Sequence, residues 1–114
     1  MRHLMKKKIG KGRDHARKLV RTLAASAIIY EKIQTTAARA KIARVLVEKM
    51  ITKGKHEDLH NKRLIFSALP QNAARKVIEV LAPRYKTRVG GYTRIIRLGK
   101  SKDGMPKVQL ELLE

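Results

Sequence analysis

The chain has 114 residues, and its 28 Lys and Arg residues outnumber its 9 Asp and Glu residues, which gives a formal net charge of +19 at pH 7. A small domain adapted only for solubility carries roughly 2–8 net charges, and a larger excess destabilises the fold by self-repulsion unless an anionic partner neutralises it. The absence of Cys excludes disulfide scaffolds, Cys-ligated zinc fingers and thiol catalysis. No uncharged apolar run approaches the roughly 20 residues of a membrane-spanning helix. We therefore expect a cytoplasmic protein that binds a polyanion.

The basic residues concentrate at the two ends of the chain. Residues 1–22 contain nine basic residues and one acidic residue, and residues 83–114 contain eight and three. Residues 56–82 contain four basic and three acidic residues, so the middle of the chain is nearly neutral. Two basic surfaces that flank a neutral packing element fit an extended anionic partner better than a single small ligand.

The first helix is predicted by its hydrophobic period. Residues 1–12 have no such period and are predicted to form a flexible basic arm that orders on binding. Asp14 is the predicted N-cap of the helix. After it, apolar residues recur with the period of an amphipathic helix: Ala16, Leu19, Val20, Leu23, Ala24, Ala27 and Ile28. The other face carries four cations: Arg13, Arg17, Lys18 and Arg21.

One strand and three further helices are predicted to follow. Residues 30–35 are short, β-branched and alternating, which favours a strand. Thr36 is the predicted N-cap of the second helix, and Gly54 is predicted to end it as a C′ glycine. The apolar face of that helix is predicted to hold Ala40, Ala43, Val47, Met50 and Ile51. The third helix is predicted over residues 58–69 and the fourth over residues 72–82, each ending before a proline.

The C-terminal part changes to a strand period. Residues 92–98 and 107–113 are predicted strands, and the Asp103-Gly104 turn signal predicts that they form a hairpin. The element order predicts an α+β fold of two layers, α-β-α(3)-β(2), in which four helices pack on a small three-stranded sheet. We expect two regions, the arm at residues 1–12 and a single domain at residues 13–114.

The pentapeptide His56-Glu57-Asp58-Leu59-His60 matches the H-E-x-x-H pattern of zinc proteases. However, a helix is predicted to begin within it, and no third ligand follows at a known spacing. We therefore expect exposed polar residues, no metal ligands and no catalytic residues. A metallohydrolase stays an alternative that elemental analysis for zinc would test.

Residues 84–94, R-Y-K-T-R-V-G-G-Y-T-R, combine four cations, two Tyr and two Gly. Arg forks onto phosphates, Tyr stacks on nucleotides, and Gly permits close backbone approach. The alternative is that Gly90-Gly91 simply forms a turn before a strand. The chain has only four aromatic residues, one Phe and three Tyr, which favours recognition of RNA by shape and backbone.

Several blocks of the sequence resemble the bacterial large-subunit ribosomal protein seventeen family. They are M-R-H at 1–3, K-I-G-K-G-R-D-H at 8–15, E-K-I-Q-T-T-A-A-R-A-K at 31–41, N-K-R-L-I-F at 61–66 and P-R-Y-K-T-R-V-G-G-Y-T-R-I at 83–95. The resemblance implies a non-enzymatic rRNA-binding protein of the large subunit, near the exit of the nascent-chain tunnel and with the same α-β-α(3)-β(2) fold. It also implies a monomer in the cytoplasmic ribosome that contacts large-subunit rRNA and neighbouring large-subunit proteins, with no cofactor, membrane or small-molecule substrate.

Charge and resemblance together give the candidate RNA-binding residues. In the N-terminal half they are Arg2, His3, Lys6, Lys7, Lys8, Lys11, Arg13, His15, Arg17, Lys18, Arg21, Thr35, Thr36 and Lys41. In the C-terminal block they are Arg84, Arg88, Gly90, Gly91, Tyr92, Thr93 and Arg94. Leu4, Met5 and Ala16 depart from the family pattern. A DNA-binding nucleoid protein stays an alternative, although no recognition helix follows a tight turn.

From the sequence alone, the C-terminal block is expected to be the stronger contact in that half of the chain. Neutralising Arg88 and Arg94 together should then weaken RNA binding more than neutralising Lys102 and Lys107.

Overall fold

A computed structural model describes residues 12–114, which form four helices and a three-stranded antiparallel sheet. The elements are α1 (Gly12–Tyr30), β1 (Lys32–Thr36), α2 (Ala37–Gly54), α3 (Leu59–Ala68), α4 (residues 71–84), β2 (Thr93–Lys100) and β3 (Pro106–Leu112). The predicted α+β order, α-β-α(3)-β(2), is confirmed. None of the helices in this part of the chain is both long and apolar enough to cross a membrane.

Helix α1 is amphipathic, as its sequence predicts. The residues Ala24, Ala27 and Ile28 are almost completely buried, whereas the apolar residues of its first two turns are only half-buried. The helix begins at Gly12, so the prediction of Asp14 as its N-cap is wrong. The Asp14 carboxylate lies in the first turn instead, where it interacts favourably with the positive end of the helix dipole.

Glu31 forms the joint between α1 and the sheet. Its φ of 65° lies in the left-handed region, which costs a residue with a side chain about 1–2 kcal/mol. Three contacts offset that cost. The Glu31 carbonyl accepts a hydrogen bond from Leu112 N at 2.8 Å, and its carboxylate accepts from Lys76 Nζ at 3.0 Å and from Arg84 Nη2 at 3.2 Å. Lys76 Nζ also donates to Ile29 O at 2.9 Å, so α4 holds both the end of α1 and the turn.

The three strands are arranged in the order β1-β3-β2, and both pairs are antiparallel. The register places Leu110 opposite both Ile33 and Ile95, so these residues form one apolar row across the sheet. In β3, the predicted alternation is confirmed, because Val108, Leu110 and Leu112 are all buried. Strand β1 begins later than predicted, because residue 30 still belongs to α1 and Glu31 makes the turn.

Helix α2 lies at the centre of the core. Its predicted cap is confirmed, since Thr36 Oγ1 accepts a hydrogen bond from Arg39 N at 3.3 Å. Its predicted apolar face is also confirmed by the buried residues Ala40, Ala43, Val47, Met50 and Ile51. The prediction of Gly54 as a C′ glycine is wrong: Gly54 is the last helical residue, and Lys55 caps the helix in a right-handed conformation. Gly54 is required for packing, because a Cβ atom there would lie 2.9 Å from Val77 Cγ1.

Helix α3 has the predicted boundaries to within a residue. Asp58 is its N-cap, and Asp58 Oδ1 accepts hydrogen bonds from the backbone N of Asn61 at 2.9 Å and from its Nδ2 at 2.7 Å. These bonds lower the pKa of the Asp58 carboxyl. The helix ends before Pro70, and Ile65 and Leu69 anchor it in the core.

Helix α4 does not end before Pro83, contrary to the sequence prediction. It consists of an α-helical segment (Gln71–Lys76), a π-helical segment (Val77–Leu81) and a short α-helical segment (Ala82–Arg84). Proline has no N–H, and its ring collides with the carbonyl four residues earlier in a regular α-helix. The π-helical segment changes the hydrogen-bond pattern just before Pro83, where Ala82 N donates to Val77 O. The helix therefore continues far enough to bring Arg84 to Glu31.

The close approach of α2 and α4 at Gly54 gives a first prediction. A Gly54→Ala substitution forces its Cβ against the buried, β-branched Val77, and we expect it to lower the free energy of unfolding by about 1–3 kcal/mol. Urea denaturation of the purified protein measures this change. Gly90→Ala is the matched control, because a Cβ at Gly90 meets nothing within 4 Å. An equal effect of the two substitutions would contradict the packing role of Gly54.

The Glu31 joint predicts a dependence of stability on pH. The pKa of Glu31 is lowered from 4.5 to about 2, mainly by its hydrogen bond with Arg84. Burial of the carboxyl raises the pKa, and the contact with Lys76 lowers it. The ion pairs therefore stabilise the fold fully above pH 4.5, and this contribution is lost as the pH falls towards 2. Because the Glu31 side chain is 36% exposed, we expect only about 1 kcal/mol after solvent screening.

Denaturation of the Glu31→Gln variant between pH 2 and pH 7 tests this expectation. Its stability should be lower than that of the original chain at pH 6 and should converge with it near pH 2. Glu79→Gln, on the exposed side of α4, serves as the control and should follow the original chain throughout. A constant difference between Glu31→Gln and the original chain at all pH values would contradict the ionic role of Glu31.

Candidate nucleic-acid interface

The exposed side of α1 carries the clearest group of available cations. Arg13, Arg17 and Lys18 are exposed, and none of them forms an ion pair within residues 12–114. Arg21 is held in place, because its Nε donates to Ala68 O at 2.8 Å at the end of α3. Asp14 lies on the same side of α1 without pairing with Lys18. We call Arg13, Arg17, Lys18 and Arg21 the α1 basic face; His15 is exposed beside it.

The predicted contact residues of the basic arm lie outside the described part of the chain. They are Arg2, His3, Lys6, Lys7, Lys8 and Lys11.

Helix α2 contributes cations that sequence reasoning found only in part. Lys41 is exposed, and Val45 and Lys49 follow it at intervals of four residues and are also exposed. Lys49 was not among the predicted contacts, although this i, i+4, i+8 spacing places it on the same side of the helix as Lys41. Thr36 is half-buried and its hydroxyl caps α2, while Thr35 is half-buried in β1.

The loop that contains Gly90 and Gly91 is bound to α2 by two charged side chains. Lys55 Nζ donates to Arg88 O and to Tyr92 Oη, the latter at 2.9 Å, and it lies 5.0 Å from the centroid of the Tyr92 ring. Glu48 Oε1 accepts from Tyr92 N at 3.2 Å, and Glu48 Oε2 accepts from Thr93 Oγ1 at 3.4 Å. These contacts fix where the loop enters β2.

Two residues of the C-terminal block belong to the core. Tyr92 is 1% exposed and Thr93 is 4% exposed. The Tyr92 ring packs against Tyr85 with their centroids 5.1 Å apart. The Tyr92 ring and the Thr93 side chain are thus buried within the protein, and their contact with RNA stays a prediction. Both Tyr85 and Tyr92 belong to the hydrophobic core.

Two further cations of the block form ion pairs within the protein, although the Arg94 side chain stays 63% exposed. Arg84 forms the ion pair with Glu31 described above, and this pair raises the pKa of Arg84. Arg94 Nε donates to a carboxylate oxygen of Glu111, its cross-strand neighbour on β3. By contrast, Arg88 is exposed beside Gly90 and Gly91, so its side chain is accessible, and its contact with RNA stays a prediction.

The H-E-x-x-H pentapeptide is divided by a helix boundary. His56 precedes α3, Asp58 caps it, and His60 is its second residue. The two imidazoles are therefore not presented one turn apart on the same helix. The described residues contain no group of three or more His, Cys, Asp or Glu side chains placed to hold a metal ion.

Comparison with known proteins identifies the family. The family model for ribosomal protein L17 matches residues 19–113. The large ribosomal subunit protein bL17 of Caldanaerobacter subterraneus subsp. tengcongensis is 44% identical over 109 residues, covering 94% of this chain and 97% of that protein. The protein of the same name from Pelobacter propionicus is 41% identical over 117 residues, covering 100% of this chain and 92% of that protein.

The resemblance seen in the sequence blocks is confirmed by these matches. Proteins of this family are structural components of the ribosome and not enzymes. The chain belongs to the ribosomal protein L17 family.

Proposed function

We propose that the chain is a structural component of the large ribosomal subunit that binds large-subunit rRNA through exposed cations, chiefly those of the α1 basic face. The observation that carries the proposal is the absence of carboxylate partners for Arg13, Arg17 and Lys18 within the described residues. The ribosomal names of the relatives support it.

The geometry of the α1 basic face suits the phosphate backbone of a folded RNA. Arg13, Arg17 and Arg21 follow one another at four-residue intervals, so their Cα atoms are spaced by about 6 Å along the helix. This is a row of charges and not a pocket, which fits an extended polyanion. Arg21 is oriented by its bond to Ala68 O, and the planar guanidinium of Arg is well matched to phosphate oxygens.

The aromatic residues favour recognition through backbone and shape. Tyr85 and Tyr92 are both at most 2% exposed, so neither offers a ring to a base. The two exposed aromatic residues, Tyr30 and Phe66, lie on α1 and α3 and not on the sheet, so they do not form a sheet platform for bases. RNA that is bound without an aromatic platform is recognised mainly through phosphates, 2′-hydroxyls and helical shape. Binding of this kind depends strongly on salt, by about 0.7–0.9 log units in affinity per log unit of salt for each phosphate contacted.

The position of the chain on the subunit is a finer proposal that rests on the family resemblance. We propose that it lies near the exit of the nascent-chain tunnel, as a monomer that contacts neighbouring large-subunit proteins in the cytoplasmic ribosome. A photo-crosslinker placed near the emerging end of stalled nascent chains tests this. A crosslink to the chain is expected, and crosslinks to other large-subunit proteins alone would contradict it.

The α1 basic face predicts a specific loss of RNA affinity. The triple variant R13Q/R17Q/K18Q should bind large-subunit rRNA at least tenfold more weakly at physiological salt. The slope of log affinity against log salt should become shallower by about 2, since three phosphate contacts are lost. Filter binding across a salt series measures both quantities, and excess duplex DNA as competitor separates RNA binding from general polyanion binding. Arg21 is kept in the variant because it also binds α3.

The control variant removes the same charge from the nearly neutral segment. K62Q/R63Q/R75Q changes three exposed cations of α3 and α4, and it should leave the affinity within about threefold and the slope unchanged. Equal losses of rRNA affinity in the two variants would show that net charge alone drives binding. That result would contradict the proposed role of α1.

A further inference from the structure

The hairpin of β2 and β3 extends beyond the helical layer as an ordered ribbon. Every residue from 96 to 107 is exposed except Ser101, which is half-buried. The tip is nevertheless hydrogen-bonded, because Ser101 N donates to Met105 O at 2.9 Å and Gly104 N donates to Ser101 O at 2.9 Å. Gly104 has a φ of 81°, a conformation that glycine adopts without strain. The backbone of the hairpin is therefore held in a defined arrangement in solvent.

The hairpin carries four exposed cations, Arg97, Lys100, Lys102 and Lys107. None of the four forms an ion pair within the part of the chain that the structure describes. Asp103 is the single acid between residues 96 and 107. This segment therefore presents an uncompensated positive charge on an ordered scaffold.

The cations lie on both sides of the ribbon. Arg97 is the register partner of Val108, and partners across a sheet share a face, so Arg97 is on the side of the helices. Lys107 neighbours Val108 along β3 and therefore points to the other side. Positive charge on two sides suits insertion between two phosphate-bearing strands better than contact with one flat surface.

Two pairs of C-terminal cations can be compared, Arg88 with Arg94 and Lys102 with Lys107. The pairs differ in whether their members form ion pairs within the protein. Arg94 is bound to Glu111, although its side chain is 63% exposed, and Arg88 and Lys86 are exposed in the loop before β2. Lys102 and Lys107 are both exposed and lack a carboxylate partner in the described residues. The structure thus leads to the opposite of the expectation from sequence, in which Arg88 and Arg94 dominate.

The α1 basic face and the cations of β2 lie on different elements of the fold. Helix α1 packs on α2, α4, β1 and β3, whereas β2 occupies the opposite edge of the sheet from β1. The folded part of the chain measures 43 × 38 × 26 Å along its principal axes. We therefore treat the hairpin and the α1 basic face as two cationic surfaces.

We infer that the β2–β3 hairpin binds a second segment of large-subunit rRNA, distinct from the segment bound by α1, so that the chain bridges two parts of the folded RNA. This inference rests on the proposed function, because it takes rRNA as the partner. The chemistry recognised is the phosphate backbone on either side of the ribbon. Leu98 and Met105, 43% and 51% exposed, would lose contact with water when the tip inserts.

Tethered hydroxyl-radical probing tests the inference directly. The chain contains no Cys, so a single introduced Cys carries the iron chelate without background. Three matched substitutions of exposed acids keep every cation: Asp103→Cys on the hairpin, Asp14→Cys on α1, and Glu79→Cys on α4 as control. Each derivatised full-length chain is bound to full-length large-subunit rRNA, and the cleaved nucleotides are mapped.

We expect cleavage from Asp103→Cys and from Asp14→Cys at two non-overlapping sets of nucleotides, with Glu79→Cys near background. Background cleavage from Asp103→Cys beside strong cleavage from Asp14→Cys would overturn the hairpin inference and leave the proposed function standing. Overlapping sets from the two positions would also overturn it, because they indicate a single RNA segment. Background cleavage from all three positions would overturn the proposed function itself.

A charge variant gives an independent readout of the same site. R97Q/K100Q/K102Q/K107Q should weaken rRNA binding at least tenfold and make the salt slope shallower by about 3, as expected for the loss of four phosphate contacts. R88Q/R94Q should have a smaller effect on affinity and on the salt slope than the matched double variant K102Q/K107Q. An unchanged slope in the hairpin variant, with its far-ultraviolet circular dichroism unaltered, would overturn the inference.

Discussion

The ion pairs at Glu31 are the contacts on which the arrangement of the two layers depends. Lys76 and Arg84, both from α4, hold one carboxylate at the turn where α1 ends and the sheet begins. The turn requires a left-handed backbone at Glu31, which is unfavourable for a residue with a side chain. The Glu31 carbonyl also bonds to Leu112 N on β3. A single residue thus connects the first helix, the fourth helix and the central strand.

Three of the nine acids of this chain make contacts that join elements of the fold. Glu31 binds α4 to the end of α1, Glu48 binds α2 to the entry of β2, and Glu111 binds Arg94 across the sheet. Cations at these joints are neutralised within the protein, while those of the α1 basic face and the hairpin are not. With a net charge of +19, repulsion between the remaining cations opposes folding. A bound polyanion would relieve that repulsion, so RNA binding and stability should be linked.

Local features could be predicted from the sequence because they depend on neighbours along the chain. The Thr36 cap and the buried stripe of α2 are examples, since both follow from spacings of three or four residues. The course of α4 through Pro83 could not be predicted, because it depends on a π-helical segment and on the pairing of Arg84 with Glu31, 53 residues away. The family resemblance was found from the sequence alone and was confirmed by the matches.

The candidate site was only partly predictable for the same reason. The exposed cations of α1 follow from its helical period. The block around Tyr92 has the composition of a nucleic-acid contact, but its aromatic rings fill the core and Arg94 is paired. Neither property is encoded within the block itself, since each depends on residues of α2 or β3. The hairpin cations, which are spread over a turn and two strands, were not among the predicted contacts.

Lysine acetylation footprinting tests most directly the claim that the fold neutralises some cations and leaves others for RNA. In the free protein, Lys76 should react slowly because Glu31 and a backbone carbonyl hold its Nζ, whereas Lys18, Lys62 and Lys102 should react fast. With large-subunit rRNA bound, Lys18 and Lys102 should become protected and Lys62 should stay reactive. Fast acetylation of Lys76 in the free protein, or equal protection of Lys62 and Lys18 by rRNA, would contradict the account.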